Sequence, residues 1–120
     1  MQLSKNFFDD EFLCPCCDDQ IMAPKFINKL QKLRNAYGSP IRISNGGGYR
    51  CEKYNTTIGG ADNSLHIRGL AVDIPCIKSS ERYELAKLAF TLGFHGIGFY
   101  NLHIHIDMRK NPKLWIGVSK

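Results

Sequence analysis

The sequence predicts an α+β fold, a small antiparallel sheet flanked by helices, in one domain spanning residues 1–120. Three observations lead there. Two stretches carry apolar residues at helical spacing. Several short apolar or alternating runs are bounded by Gly, Asn and Pro. The 120 residues, 43% hydrophobic, suit a single core and leave no room for a second domain of ordinary size.

The first twenty residues are acidic, cysteine-rich and irregular, with Phe7, Phe8 and Phe12 available as anchors. A helix begins near Ala23-Pro24, since proline suits a first turn. Its stripe is Phe26, Ile27, Leu30 and Leu33, and Gly38 followed by Pro40 stops it. Ile41-Arg42-Ile43-Ser44 alternates like a short strand. Asn45-Gly46-Gly47-Gly48 then breaks regular structure in a close-approach loop. Without a Gly-Lys-Ser/Thr ending it is no phosphate loop. Residues 51–58 form a short helix closed by Gly59-Gly60.

Leu70 to Ile74 reads as a buried strand ending at Pro75. Ser79 or Ser80 caps a further helix, with Glu81 and Glu84 near its start. Tyr83, Leu85, Leu88, Ala89 and Leu92 are its apolar stripe, and Gly93 ends it. Ile97 to Tyr100 and His103 to Met108 are two more strands, turning at Asn101-Leu102. Trp115 is expected to close the core.

The formal net charge is +5. A basic surface favours polyanions in general, but Lys29, Lys32 and Arg34 fit the solvated face of a helix. Aromatic and basic residues are not interleaved as in single-strand binders, so nucleic acid is not the expected partner. No run approaches the ~20 apolar residues of a membrane span, and no secretory signal opens the chain. The expectation is a monomer made in a cytoplasm.

Five cysteines, Cys14, Cys16, Cys17, Cys51 and Cys76, argue against a full disulfide framework. Cys14 and Cys17 stand at C-x-x-C spacing. They fit half of a structural zinc site, which Cys51 and Cys76 could complete, and equally a reversible disulfide or reduced thiols in a loop.

The chemistry concentrates in two segments. His103-Ile104-His105-Ile106-Asp107 alternates, so a strand puts two imidazoles and a carboxylate on one face. An ordinary exposed strand face reads the same way. Upstream, Ser64-Leu65-His66-Ile67-Arg68-Gly69-Leu70-Ala71-Val72-Asp73 supplies what that pair lacks. A catalytic zinc takes three ligands from His and carboxylate and leaves a place for water. Gly69 lets the chain fold back so that His66 and Asp73 can point at one ion. Asp107 can hydrogen-bond a ligand imidazole and fix its tautomer. His95, in a glycine-rich turn, is read as having no catalytic role.

Ser-x-His-x-x-Gly-x-Ala-x-Asp followed by a His-x-His strand resembles the M15 family of zinc D-Ala-D-Ala carboxypeptidases. More broadly it resembles the wider group that also holds lysostaphin-type peptidases and hedgehog domains. The start, Phe8 to Cys16, together with Gly48-Tyr49-Arg50-Cys51, Tyr54-Asn55, Gly59-Gly60 and the Gly-Ile-Gly-Phe-Tyr run, is similar to the short, often phage-encoded members. The resemblance covers about residues 8–115.

It implies that His66, Asp73 and His105 bind one catalytic Zn²⁺. It implies His103 as general base and Arg50 as the group that holds substrate and stabilises the oxyanion. Ser64 and Asp107 then support the ligands. Many relatives carry a carboxylate three positions before the last ligand, where this chain has Leu102. The triple glycine before Arg50 is also longer than usual in relatives.

The implied function is hydrolysis of peptidoglycan stem peptides, by carboxypeptidase or endopeptidase action, in a phage lysis enzyme that reaches the wall after release or on a virion. A zinc-stabilised binding module without hydrolytic activity is the alternative that Leu102 favours.

Overall fold

The computed structural model describes residues 1–118. Its elements are a 3-10 turn (Asp9–Phe12), α1 (Pro24–Tyr37), α2 (Glu52–Thr57), β1 (Ala71–Pro75), α3 (Ser79–Thr91), β2 (Gly96–Phe99), β3 (His103–Asp107) and β4 (Lys113–Ile116). The α+β class is as the sequence predicts. Pro24 opens α1 at a position where its missing N–H costs nothing. Gly38, at φ 75°, ends it and donates its N–H to the Arg34 carbonyl at 3.1 Å.

The sheet order is β1-β3-β2-β4. β1 and β2 both pair antiparallel with β3, and β4 adds to β2 in parallel. The sheet is thus mostly rather than wholly antiparallel, because Trp115 belongs to this added strand. Val72, Ile74, Ile97, Ile104 and Ile106 are buried in one core with Phe26, Ile27, Leu30 and Leu33 of α1 and Leu85 and Ala89 of α3. Period-two alternation sends Asp73, His105 and Asp107 to the other face of the sheet. Helices and core therefore back the strands, and the polar face is left for a site.

Four local expectations change. Residues 41–44 form no strand, because the glycine loop turns the chain away after Ser44 has made one pairing with Asp73. Phe7 and Phe12 are buried with their rings 6.0 Å apart and tilted by 58°, while Phe8 is 46% exposed. The α3 cap is Lys78, with no side-chain capping bond, so Ser79 and Ser80 are inside the helix. Tyr83 is exposed beneath Lys87 instead of joining the α3 stripe.

Gly69 holds φ 68°, and a Cβ there would meet Met22 Cα at 2.8 Å and Ala23 N at 2.9 Å. Its carbonyl accepts the Ala23 N–H at 3.0 Å, joining the start of α1 to the turn before β1. Gly69→Ala combines a left-handed backbone with a backbone collision, each worth about 1–3 kcal/mol. The expected thermal midpoint falls by roughly 4 °C per kcal/mol lost. A midpoint within a degree of the parent would contradict this account of the turn.

Candidate metal centre

The sheet register assembles the site in rows. Asp73 lies opposite His105, His105 opposite Gly98, and Gly98 opposite Trp115. In the next row Ala71, Asp107, Gly96 and Lys113 follow one another. The two glycines of β2 leave the space that the large side chains occupy. A Cβ on Gly96 would run into the Asp107 carboxylate, and one on Gly98 would lie 2.5 Å from the Trp115 indole.

Three imidazoles converge on one carboxylate oxygen. Asp73 Oδ1 is 3.1 Å from His105 Nδ1, 3.4 Å from His66 Nε2 and 3.8 Å from His103 Nε2. Asp73 Oδ2 accepts a hydrogen bond from Arg50 Nη2 at 2.7 Å. His66, Asp73 and His105 are all buried, and their ligand atoms lie within 4.8 Å of one another.

The glycine loop holds this cluster through its carbonyls. Arg50 Nε donates to Gly46 O at 2.8 Å, the Asp73 amide donates to Gly47 O at 2.8 Å, and His66 Nδ1 donates to Gly48 O at 2.8 Å. Such close approach needs residues without side chains. A Cβ on Gly47 would come 3.0 Å from Asp73 Cβ, and one on Gly48 would come 2.7 Å from Phe12 Cα. Ser64 Oγ accepts the His66 amide at 3.2 Å and shapes the turn that presents the ring.

The donor set suits a divalent metal. His66 spends Nδ1–H on Gly48 O, which leaves the Nε2 lone pair facing Asp73. Burial pushes the His66 pKa down, further than the nearby Asp73 charge raises it, so the ring is neutral. His105 Nε2 donates to Asp107 Oδ2 at 2.7 Å, which turns Nδ1 toward Asp73 Oδ1. Burial also lowers His105, but its bonds to Asp107 and Asp73 outweigh that and hold it up. Burial would raise Asp73, and the charges and bonds of His66 and His105 instead keep it well below the ordinary carboxylate range. Electron-pair donors so close together need a proton or a shared cation between them, and these residues can hold one metal ion.

Outside the cluster, Asp107 has no solvent exposure and accepts from Arg109 Nη2 at 2.7 Å, Arg109 Nε at 3.0 Å and the Arg109 amide at 3.0 Å. The Arg109 guanidinium lies 4.7 Å from the Trp115 ring centre. His103 is half-buried and stacks on Tyr100 at 4.5 Å with 11° between the rings. Trp115 Nε1 donates to the Tyr100 hydroxyl at 3.0 Å.

All these groups line an open cleft of about 1000 Å³, within the range of small-molecule and peptide sites. Lys25, Arg50, Arg68, Arg109, Lys110 and Lys113 line it against the carboxylates Asp73 and Asp107.

The structure therefore brings His66, Asp73, His103, His105, Arg50, Asp107 and Ser64 to one place. Arg50 is tied to Asp73 and Gly46, so its Nη2 and Nε face the cluster and the loop. Leu102 is 56% exposed at the hairpin, which puts no carboxylate into the cleft from that position. Cys14, Cys17 and Cys51 form a separate group, while Cys76 lies elsewhere beside Tyr37, Glu81 and Leu85. His95 is exposed and bonded to the Lys110 carbonyl. Trp115 is a cleft wall 5.1 Å from the His105 ring, which corrects its expected place in the core. Arg109, Tyr100 and the glycine carbonyls escape a reading by motif. The spacing of Arg109, two after Asp107, was the one available signal.

Two histidines and an aspartate on a sheet face, open to a cleft and tied down by second partners, define a metal centre of the hydrolase kind. The chain belongs to the Peptidase M15 family, whose profile matches residues 6–107. Over 84 residues it is 38% identical to the zinc D-Ala-D-Ala carboxypeptidase of Streptomyces albus G, an alignment covering 65% of this chain and 32% of that protein. The match thus spans about a third of the length of that curated relative.

Asp107 links the site to acid stability. Burial raises its pKa, and bonds from His105 and Arg109 reverse this and hold it far below 3.8. A depressed carboxylate contributes stability that is present above its unfolded pKa and is lost as pH falls toward the folded value. Asp107→Asn should cost about 3–5 kcal/mol at pH 7, since Arg109 and His105 lose a buried partner. Urea midpoints with chelator present should show the gap to the parent narrowing below about pH 4. A gap constant down to pH 2 would refute the pairing.

Proposed function

We propose that this chain is a zinc-dependent peptidase that hydrolyses D-alanyl bonds in the stem peptides of bacterial peptidoglycan. The observation that carries this reading is the convergence of His66, Asp73 and His105 in an open cleft beside His103. Membership of the Peptidase M15 family and the likeness to a zinc D-Ala-D-Ala carboxypeptidase support the metal and the substrate class.

His66, Asp73 and His105 would hold the zinc, which would supply Lewis acidity toward water and a peptide carbonyl. The protein does the rest. His103 takes the proton of the attacking water at Nε2 and delivers it to the departing amine. Burial pushes its pKa below the ordinary histidine value, which keeps it in the accepting form near neutrality. Tyr100, stacked on its face, fixes the ring angle. Arg50 restrains the Asp73 carboxylate, and the guanidinium donors not spent on Asp73 or Gly46 serve the developing oxyanion. Arg68, Lys25 and Lys113 present cations to the carboxylates of a stem peptide. The same reading includes action on the wall during phage lysis.

The binding-module reading has one observation in its favour, the exposed Leu102 where many relatives carry a carboxylate. Defined muropeptides, with products read by mass spectrometry, separate the two. The parent should release D-alanine or split a cross-link. His66→Ala and Asp73→Ala should lose both the zinc of the cleft and the product. His103→Ala should keep the zinc and drop kcat by about 10²–10⁴. Bound zinc with no product from the parent would leave the module, and unchanged turnover in Asp73→Ala would end the proposal.

A further inference from the structure

A second group of metal-ligating side chains stands apart from the cleft, and none of its cysteines lines it. Cys14 Sγ and Cys51 Sγ are 3.6 Å apart, and Cys14, Cys17 and Cys51 all lie within 4.8 Å of one another. A disulfide would need about 2.05 Å. Sulfurs sharing a tetrahedral zinc at about 2.3 Å each stand roughly 3.8 Å apart. The observed spacing matches the second case.

The backbone is arranged for thiolates as well. Cys14-Pro15-Cys16-Cys17 forms a turn closed by the Asp18 amide donating to the Cys14 carbonyl at 2.8 Å, with Asp18 at φ 57°. The Cys14 amide donates to the Asp19 carbonyl at 2.8 Å on the return. Donors then point at sulfur. The Cys51 amide reaches Cys14 Sγ at 3.5 Å, and the Tyr54 amide reaches Cys51 Sγ at 3.4 Å. Burial pushes the Cys14 thiol up, but backbone N–H groups of Cys51, Cys17 and Cys16 bring it down to about 7. Cys16 approaches Cys51 from the same turn.

We propose that Cys14, Cys17 and Cys51 bind a second, structural metal ion of the zinc class, separate from the ion of the cleft. Soft thiolates select such a metal over magnesium or calcium. The ion cross-links the amino-terminal segment to the loop that serves the site. Tyr49 already donates its amide to the Phe12 carbonyl at 3.1 Å, and Cys51 directly follows Arg50. Holding Cys51 therefore holds the backbone from which Arg50 reaches Asp73 and from which Gly48 receives His66. The inference is independent of whether the cleft hydrolyses anything.

Protein purified under reducing conditions should carry two zinc ions per chain by elemental analysis. His66→Ala/Asp73→Ala and Cys14→Ser/Cys17→Ser should each carry one. After exchange to cobalt, near-ultraviolet thiolate charge-transfer bands should persist in the first variant and vanish in the second. If the cysteine variant fails to fold, alkylation of the parent decides. Bound metal should shield Cys14, Cys17 and Cys51, and a chelator should expose them. One ion per chain without thiolate bands would overturn the proposal. So would an intact mass short of two hydrogens with Cys14 joined to Cys51.

Discussion

The Asp73 carboxylate is the interaction on which the rest of this structure depends. Its backbone is clamped from the free side of β1, with the amide on Gly47 O and the carbonyl accepting from the Ser44 amide and hydroxyl. One carboxylate oxygen faces three imidazoles and the other takes Arg50. A charge buried this deeply is tolerable only when each lone pair has a partner. The glycine loop, the His66 turn and the β3 histidines are each positioned so that it does.

Two outer supports make the arrangement rigid. Gly48 O fixes the tautomer of His66 from one side, and Asp107 fixes that of His105 from the other. Asp107 in turn leans on Arg109, and Arg109 on Trp115. Each candidate ligand nitrogen thus owes its direction to a bond made on the opposite side of its ring, which is the usual way a protein aims imidazole at a metal. The cost is paired polar burial on one face of a four-stranded sheet, and the core on the other face offsets it.

The cleft above this floor collects cations that are dispersed in sequence. Lys25 comes from α1, Arg68 from the His66 turn, and Arg109, Lys110 and Lys113 from β4 and the segment leading to it. Low-dielectric walls concentrate their field on whatever enters. That field favours anionic ligands over cationic ones. It gives the net positive charge a location, which composition alone did not.

Local chemistry was legible in the sequence wherever a short-range rule governs it. The α1 stripe and its Pro24 and Gly38 ends, the buried β1, the alternation of β3 and the need for Gly69 all follow from residue spacing and backbone sterics. That is enough to draw His66, Asp73, His103 and His105 onto one candidate list and to class the fold as α+β; the family resemblance chose His105 over His103 as the ligand. Tertiary structure decided everything that depends on partners far along the chain. It put Trp115 in the cleft wall by adding β4 in parallel to β2, denied residues 41–44 a strand, and turned Arg50 onto Asp73. It also brought Cys51 to Cys14 across 37 positions. Periodicity reports which face a side chain occupies, whereas distances between faces are set by packing and strand register, and only the folded chain contains those.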